Sequence, residues 1–346
     1  VSTRGHGPHC AHRFAMEFRM KHFLTLFLAL AVLMGCRKDP DLLDPILVET
    51  INLNDVYGTR MASVSLGADY RQQAYFSLVD NRWVATHDKY DWEVAMTHDD
   101  TAKLLLNHAI PGLRVAVGPA DWTEWVDEFA LTWRYDLPGG EGTEMLAIGA
   151  DWAGQTLVLD RGLDPAGEHR GYRKFRFEAN GDGLVLRVAE LSGDNEATFT
   201  WPRDPNHHQT EWHLDHGPSQ LSPPRDTWDL QFTNYLHVYE PDDAPFPYQV
   251  TGALLAADGR RAVRFDETPF DTFTAPDNLN DLLSERRDAV GFDWKTYDFD
   301  LGYVMTTDLT FVVDSDDNGS FALTFTSFTD ENGERGAPEF AFRRLP

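Results

Sequence analysis

Apolar and polar residues alternate with a period of two along most of this chain, the pattern of strands buried on one face. The clearest run is WDLQFTNYLHVYEPDDAPFPYQVTGALL, Trp228 to Leu255, where Trp228, Leu230 and Phe232 alternate with Asp229, Gln231 and Thr233. A second run, Gly291 to Leu345, reads as a meander in which DDNG and DENG supply the turns. Between about Glu49 and Gly217, the segments QAYFSLV, YDWEVAMT, AKLLLNHA, GLRVAVG, QTLVLDRG and EATFTWP are short and apolar, separated by Asp, Asn, Gly and Pro. GYRKFRFEANGDGLVLRVAEL predicts a hairpin turning at Asn180-Gly181 or Asp182-Gly183. The stretch DWTEWVDEFALTWRYD, Asp121 to Asp136, spaces Trp122, Trp125, Phe129 and Trp133 in a way that fits a helix or a Trp-rich strand. Asn278 to Arg287 predicts one short helix. The expected fold is all-β, antiparallel and sandwich-like, with few short helices.

Two parts of the chain repeat one another faintly. YDWEVAMT (90–97) lies against TWDLQFT (227–233), which puts Trp92 over Trp228, and LVLRVAELSGDNEATFTW (184–201) parallels FALTFTSFTDENGERGAPEFAF (321–342). Two related β lobes, 50–217 and 218–346, follow from this, divided at the Pro-rich connection His216 to Pro224.

The first 49 residues read differently. Residues 1–19 have no periodicity and look like a translated upstream segment, with a start at Met20 or Met16. MKHFLTLFLALAVLMGC then carries basic Lys21, an apolar run from Phe23 to Met34, and Gly35 before Cys36, as a secretory signal peptide does. LMGC resembles a lipoprotein signal box, which implies lipidation of Cys36, and residues 36–49 form a charged tether that holds two Pro, Pro40 and Pro45. The expected location is the outer membrane, facing the periplasm or the cell surface. The two cysteines, Cys10 and Cys36, lie outside the β-rich part, so no disulfide framework is available there. A net charge of −26, or −29 once residues 1–35 are removed, repels phosphate backbones and argues against nucleic-acid binding.

No Ser-His-Asp elbow, P-loop, dinucleotide-binding glycine pattern or HExxH string is present, so catalysis is not expected. His237 in TNYLHVY has Tyr235 and Tyr239 two positions away on the same strand face. An imidazole among rings suits an axial ligand of haem iron, and it equally suits a half-buried His bonded to backbone. His207, His208, His213 and His216 lie within ten residues, as a transition-metal site or as an incidental loop. A metallo-hydrolase built on them is the remotest reading. DSDDNG, Asp314 to Gly319, opens like a calcium loop but has Phe325 where a bidentate Glu belongs, and reads better as a turn.

The strings WDLQFTNYLHVY, YQVTGALL, GFDWKTYDF and NGSFALTFTSFTDENGERGAPEF resemble the HmuY family, the haem-binding lipoproteins of Bacteroidetes, more loosely over residues 50 to 346. The basic-acidic run after Cys36 resembles the surface-export signal of that bacterial group. The resemblance implies a lipid-anchored protein that captures haem and passes it to a TonB-dependent outer-membrane receptor. It implies two axial ligands drawn from His and Met, for which His237 and Met305 are the candidates, with His98 a third. The rival expectation is a surface adhesion or polysaccharide-binding module that has lost haem.

Overall fold

The computed structural model describes residues 58–99, 102–138, 146–147, 154–180, 183–240, 246–257 and 259–346. The expectations for residues 1–49, lipidation of Cys36 included, lie outside them.

The described residues begin with β1 (Arg60–Ser63), β2 (Gln72–Ser77) and β3 (Arg82–Asp88). It continues through β4 (Val94–Thr97), β5 (Lys103–Leu106), β6 (Leu113–Val117), β7 (Leu146–Ala147), β8 (Leu157–Arg161) and β9 (Tyr172–Asn180). Next come β10 (Gly183–Ala189), β11 (Ala197–Thr200), β12 (Gln209–His213) and β13 (Gly217–Ser219). The last third holds β14 (Leu230–Tyr239), β15 (Phe246–Leu255), β16 (Arg261–Phe265), β17 (Lys295–Asp298), β18 (Gly302–Met305), β19 (Thr310–Asp314), β20 (Ser320–Thr329) and β21 (Arg335–Arg344). The fold is all-β, and its one α-helix among the described residues is the single turn Leu279–Leu282. No helix of the described residues is long and apolar enough to cross a membrane.

The strands form two sandwiches. One, here the split sandwich, has an outer sheet β1-β21-β20-β19-β16 and an inner sheet β15-β14-β2-β3. The other, the inserted sandwich, has an inner sheet β13-β12-β4-β5-β7 and an outer sheet β11-β10-β9-β8-β6. Strand for strand, β3-β2-β14-β15 corresponds to β13-β12-β4-β5, and β1-β21-β20-β19-β16 corresponds to β11-β10-β9-β8-β6. Trp92 and Trp228 each stand two residues before the equivalent strands β4 and β14, as the sequence repeat places them. The second repeat match is one strand out, because it sets β10 against β20 whereas β21 occupies the matching place. The lobes are also not consecutive. β1 pairs with β21 and β2 with β14, so the N-terminal strands complete the sandwich that the C-terminal strands build. A division at 217/218 falls inside β13, the last strand of the inserted sandwich, and does not include this return, since pairing across more than 150 residues leaves no local pattern.

Alternation explains the two dry cores. Ala74, Phe76, Leu230, Phe232, Phe311, Phe325, Phe340 and Phe342 fill the split sandwich. Leu104, Leu159, Phe175, Leu186 and Trp212 fill the inserted one. Each Leu or Phe among them contributes roughly 1.5–3 kcal/mol by leaving water. The ambiguous stretch 121–136 is neither helix nor long strand. It holds a 3-10 turn, Glu128–Ala130, and one bridge from Arg134 to Val115, with Trp122 buried and Phe129 exposed.

A candidate ligand cleft between the two sandwiches

The polar positions of β2 and β14 read in the sequence as a solvent face, yet Gln73, Tyr75, Gln231 and Thr233 are all buried. The inner sheet of the inserted sandwich covers them, and a hydrogen-bonded seam results. Gln73 Nε2 donates to Thr233 Oγ1 at 2.7 Å and its Oε1 accepts from Trp92 Nε1 at 2.9 Å. Gln231 Nε2 donates to the Tyr75 hydroxyl at 3.0 Å, while Arg287 Nη2 donates to Gln231 Oε1 at 3.0 Å. Burial raises the Tyr75 phenol well above its ordinary value, which keeps it a neutral partner.

Two cavities open in this seam and share Leu106, His108 and Asp136. The larger, about 860 Å³, lies between the turns of the inserted sandwich and the far ends of β14 and β15. Leu106, Ile110, Leu113, Leu163 and Leu236 give it apolar walls, and Trp133, Tyr135, Tyr172 and Tyr248 give it rings. Its volume is within the roughly 300–1,000 Å³ usual for small-molecule sites. Gly162, with φ +70°, lets one wall close, because a Cβ there would sit 2.3 Å from the Pro111 carbonyl oxygen.

His108 is fixed at the mouth of β5 by its neighbours. Buried Asn107 donates to the carbonyls of Lys89 and Trp92 at 2.6 and 2.9 Å and accepts from the Ala109 N–H at 3.1 Å. Gln249 Nε2 on β15 donates to the His108 carbonyl at 2.9 Å. The His108 ring meets Tyr235 edge-on at 6.4 Å, and its buried Nδ1 has no hydrogen-bond partner. Loss of water around the ring lowers its pKa to about 3; the positive Arg287 adds to this, and the Asn234 carbonyl opposes it. The imidazole is therefore neutral at ordinary pH and keeps a lone pair for a metal.

Asp160 organises the other imidazole of the cleft. It accepts from His169 Nε2 at 2.8 Å and from Arg114 Nε at 3.0 Å, and is itself buried. A carboxylate held on one nitrogen is how metal-binding imidazoles are commonly oriented. The Arg114 guanidinium also lies 4.9 Å over the Trp133 ring, leaving a positive group at the cleft wall.

The residues singled out in the sequence fall elsewhere. His237, half-buried on β14, packs 4.9 Å from Tyr239 and 4.8 Å from Phe292, just beyond the cleft residue Leu236. Phe292 reaches it because Gly252 on β15 admits the chain at 291–292; a Cβ there would lie 2.2 Å from the Gly291 carbonyl oxygen. Met305 on β18 packs against the core of the split sandwich, which the other face of β14 and β15 covers. The structure thus places His237 and Met305 in different surroundings. His98 has both ring nitrogens engaged, Nδ1 by the Asp204 and His207 carbonyls and Nε2 by Thr210 Oγ1. Of the His-rich segment, His207 bonds Asp204 at 2.8 Å and His213 stacks on His216 at 4.2 Å. Among the described residues no group of three or more His, Cys, Asp or Glu side chains could hold a metal ion. Asp314 to Gly319 is the turn from β19 to β20. His108 and His169 escaped the sequence reading, since each is a lone His in a turn, the one after β5 and the other after β8, and only the folding of the inserted sandwich brings those turns to one cleft.

No family model and no curated protein matches this chain. Among solved structures, it is similar to one titled "Crystal structure of Apo PinO from Porphyromonas gingivitis", at 8% identity and a TM-score of 0.34, over 83% of this chain and 97% of that one. Likeness at that level leaves function to be argued from the residues of this chain.

Proposed function

We propose that this protein binds haem in the cleft between its sandwiches and passes it to an outer-membrane receptor without catalysis, tethered to the outer membrane by a lipidated Cys36. The observation that carries the reading is a cleft of about 860 Å³, walled by aliphatic and aromatic side chains, with the unpartnered Nδ1 of His108 among them. These residues fit a flat apolar macrocycle: His108 would ligate the iron, His169 would offer a second imidazole, and Arg114 would face the carboxylates of the porphyrin. The iron would gain affinity from ligands that need no proton removed, because burial already keeps His108 neutral. His237, next to the cleft residue Leu236 and packed on Tyr239, would on this reading serve with Tyr248 as an aromatic entry.

Titrating the mature protein with hemin should give a saturable Soret shift at one equivalent. His108→Ala should weaken binding by at least about tenfold, or 1.4 kcal/mol, and change the spectrum, while Met305→Leu should leave both as they were. A flat titration removes the haem reading. A His108→Ala protein with an unchanged spectrum removes His108, and a loss confined to His237→Ala returns the ligand to the rim.

A further inference from the structure

We propose that the smaller cavity of the seam, about 400 Å³, is a separate site for the uncharged ring of a saccharide. Three features point to that chemistry. Trp92 and Trp228, both buried, stand with Tyr75 in its walls and offer ring surfaces of the kind that pack against the C–H faces of sugars. Trp228 Nε1 and Ser222 Oγ are buried in the lining without a protein hydrogen-bond partner, and buried polar atoms of that kind call for one.

The amides of Gln73 and Gln231 are held in fixed orientations by Trp92, Thr233, Tyr75 and Arg287. Each amide nitrogen has two donor hydrogens and each oxygen two lone pairs, so capacity for hydroxyl groups remains after the seam bonds are made. Their orientation precedes the ligand, which removes part of the ordering cost of binding.

Charge selects within the class. The lining sets Lys103, Arg260 and Arg287 against Asp99, Asp136 and Glu285, a balance of three and three in a chain whose net charge is −26. Neither a phosphate nor an ammonium group is favoured over a neutral polyol by such a wall. The site is independent of the haem reading: it uses other aromatic walls and other hydrogen-bonding atoms, and the two cavities share only Leu106, His108 and Asp136.

The test follows tryptophan fluorescence and saturation-transfer NMR of the mature full-length protein. The probes are glucose, galactose, mannose, N-acetylglucosamine, maltose and cellobiose, with glucose 6-phosphate and glucosamine as charged comparators. At least one neutral sugar should bind saturably, and Trp228→Phe, which keeps a ring but removes the donor, should weaken it at least about tenfold. Ser222→Ala should weaken it less, and both variants should titrate with hemin as wild type does. The proposal is overturned if no neutral sugar saturates, if only a charged comparator binds, or if both folded variants bind the sugar unchanged.

Discussion

In the split sandwich the core is packed by rings: Trp294 lies flat on Phe325 at 3.8 Å, and Phe232 stacks on Phe340 at 5.2 Å. The inserted sandwich, with the same strand order, fills the corresponding space mainly with Leu and Val around Phe175, Phe177 and Trp212. It adds a fully buried carboxylate, Glu93, which accepts from Arg161 at 2.6 Å, from Arg170 at 2.8 Å and from the Leu214 N–H at 2.8 Å. One strand order is thus secured in two ways. The split sandwich depends on the ends of the chain meeting over a bed of rings, and the inserted one on a charge cluster drawn from its own residues. What the two share is the seam, and both cavities are there.

The most damaging way to separate them is to empty each core. Phe340→Ala should cost about 3–5 kcal/mol and speed hydrogen exchange in β1–β3 and β14–β21, leaving β8–β12 protected. Phe175→Ala should do the reverse. Equal loosening of both sandwiches by either variant would show that they unfold as one unit and abolish the distinction.

Next comes the charge cluster. Glu93→Gln leaves the Arg161 and Arg170 guanidinium groups without their buried counter-charge, and should lower stability by roughly 3 kcal/mol in urea unfolding, with exchange rising in the inserted sandwich alone. A change under about 1 kcal/mol would mean that water or the neighbouring Asp215 carries the load instead.

Acid should act on the seam by smaller steps per pH unit. The His108 pKa is about 3 in the folded protein and about 6.5 unfolded, so the unfolded chain takes the proton first. The stability this ring contributes is fully present above pH 6.5 and is lost as pH falls toward 3, by at most about 1.4 kcal/mol per pH unit. His108→Gln should flatten that part of the stability–pH curve; an unaltered curve would place the ring in contact with water.

The strands themselves were legible, because alternation is a local property: the sequence segments at 102–109, 112–118 and 155–162 contain the strands found there, and the one at 73–79 holds all of β2 but its first residue. The polar face of β14 misled, since Gln231 and Thr233 carry the mark of an exposed surface and are hidden by a second sandwich instead of by solvent-excluding apolar contacts. His237 announced itself through its aromatic neighbours in sequence. His108 has none nearby, and its ring partner Tyr235 is supplied by a strand more than 120 residues away. Sites made where two modules meet are written in tertiary pairing, which no single stretch of residues records.

The return of the N-terminal strands sets an order of events as the chain folds. The described strands between 94 and 219 pair only with one another and can close as soon as they emerge, whereas β2 waits for β14 and β1 waits for β21. β2 and β3 pair with each other meanwhile, but until Arg335–Arg344 is available β1 lacks its partner and is an unpaired edge of the kind that joins to other chains.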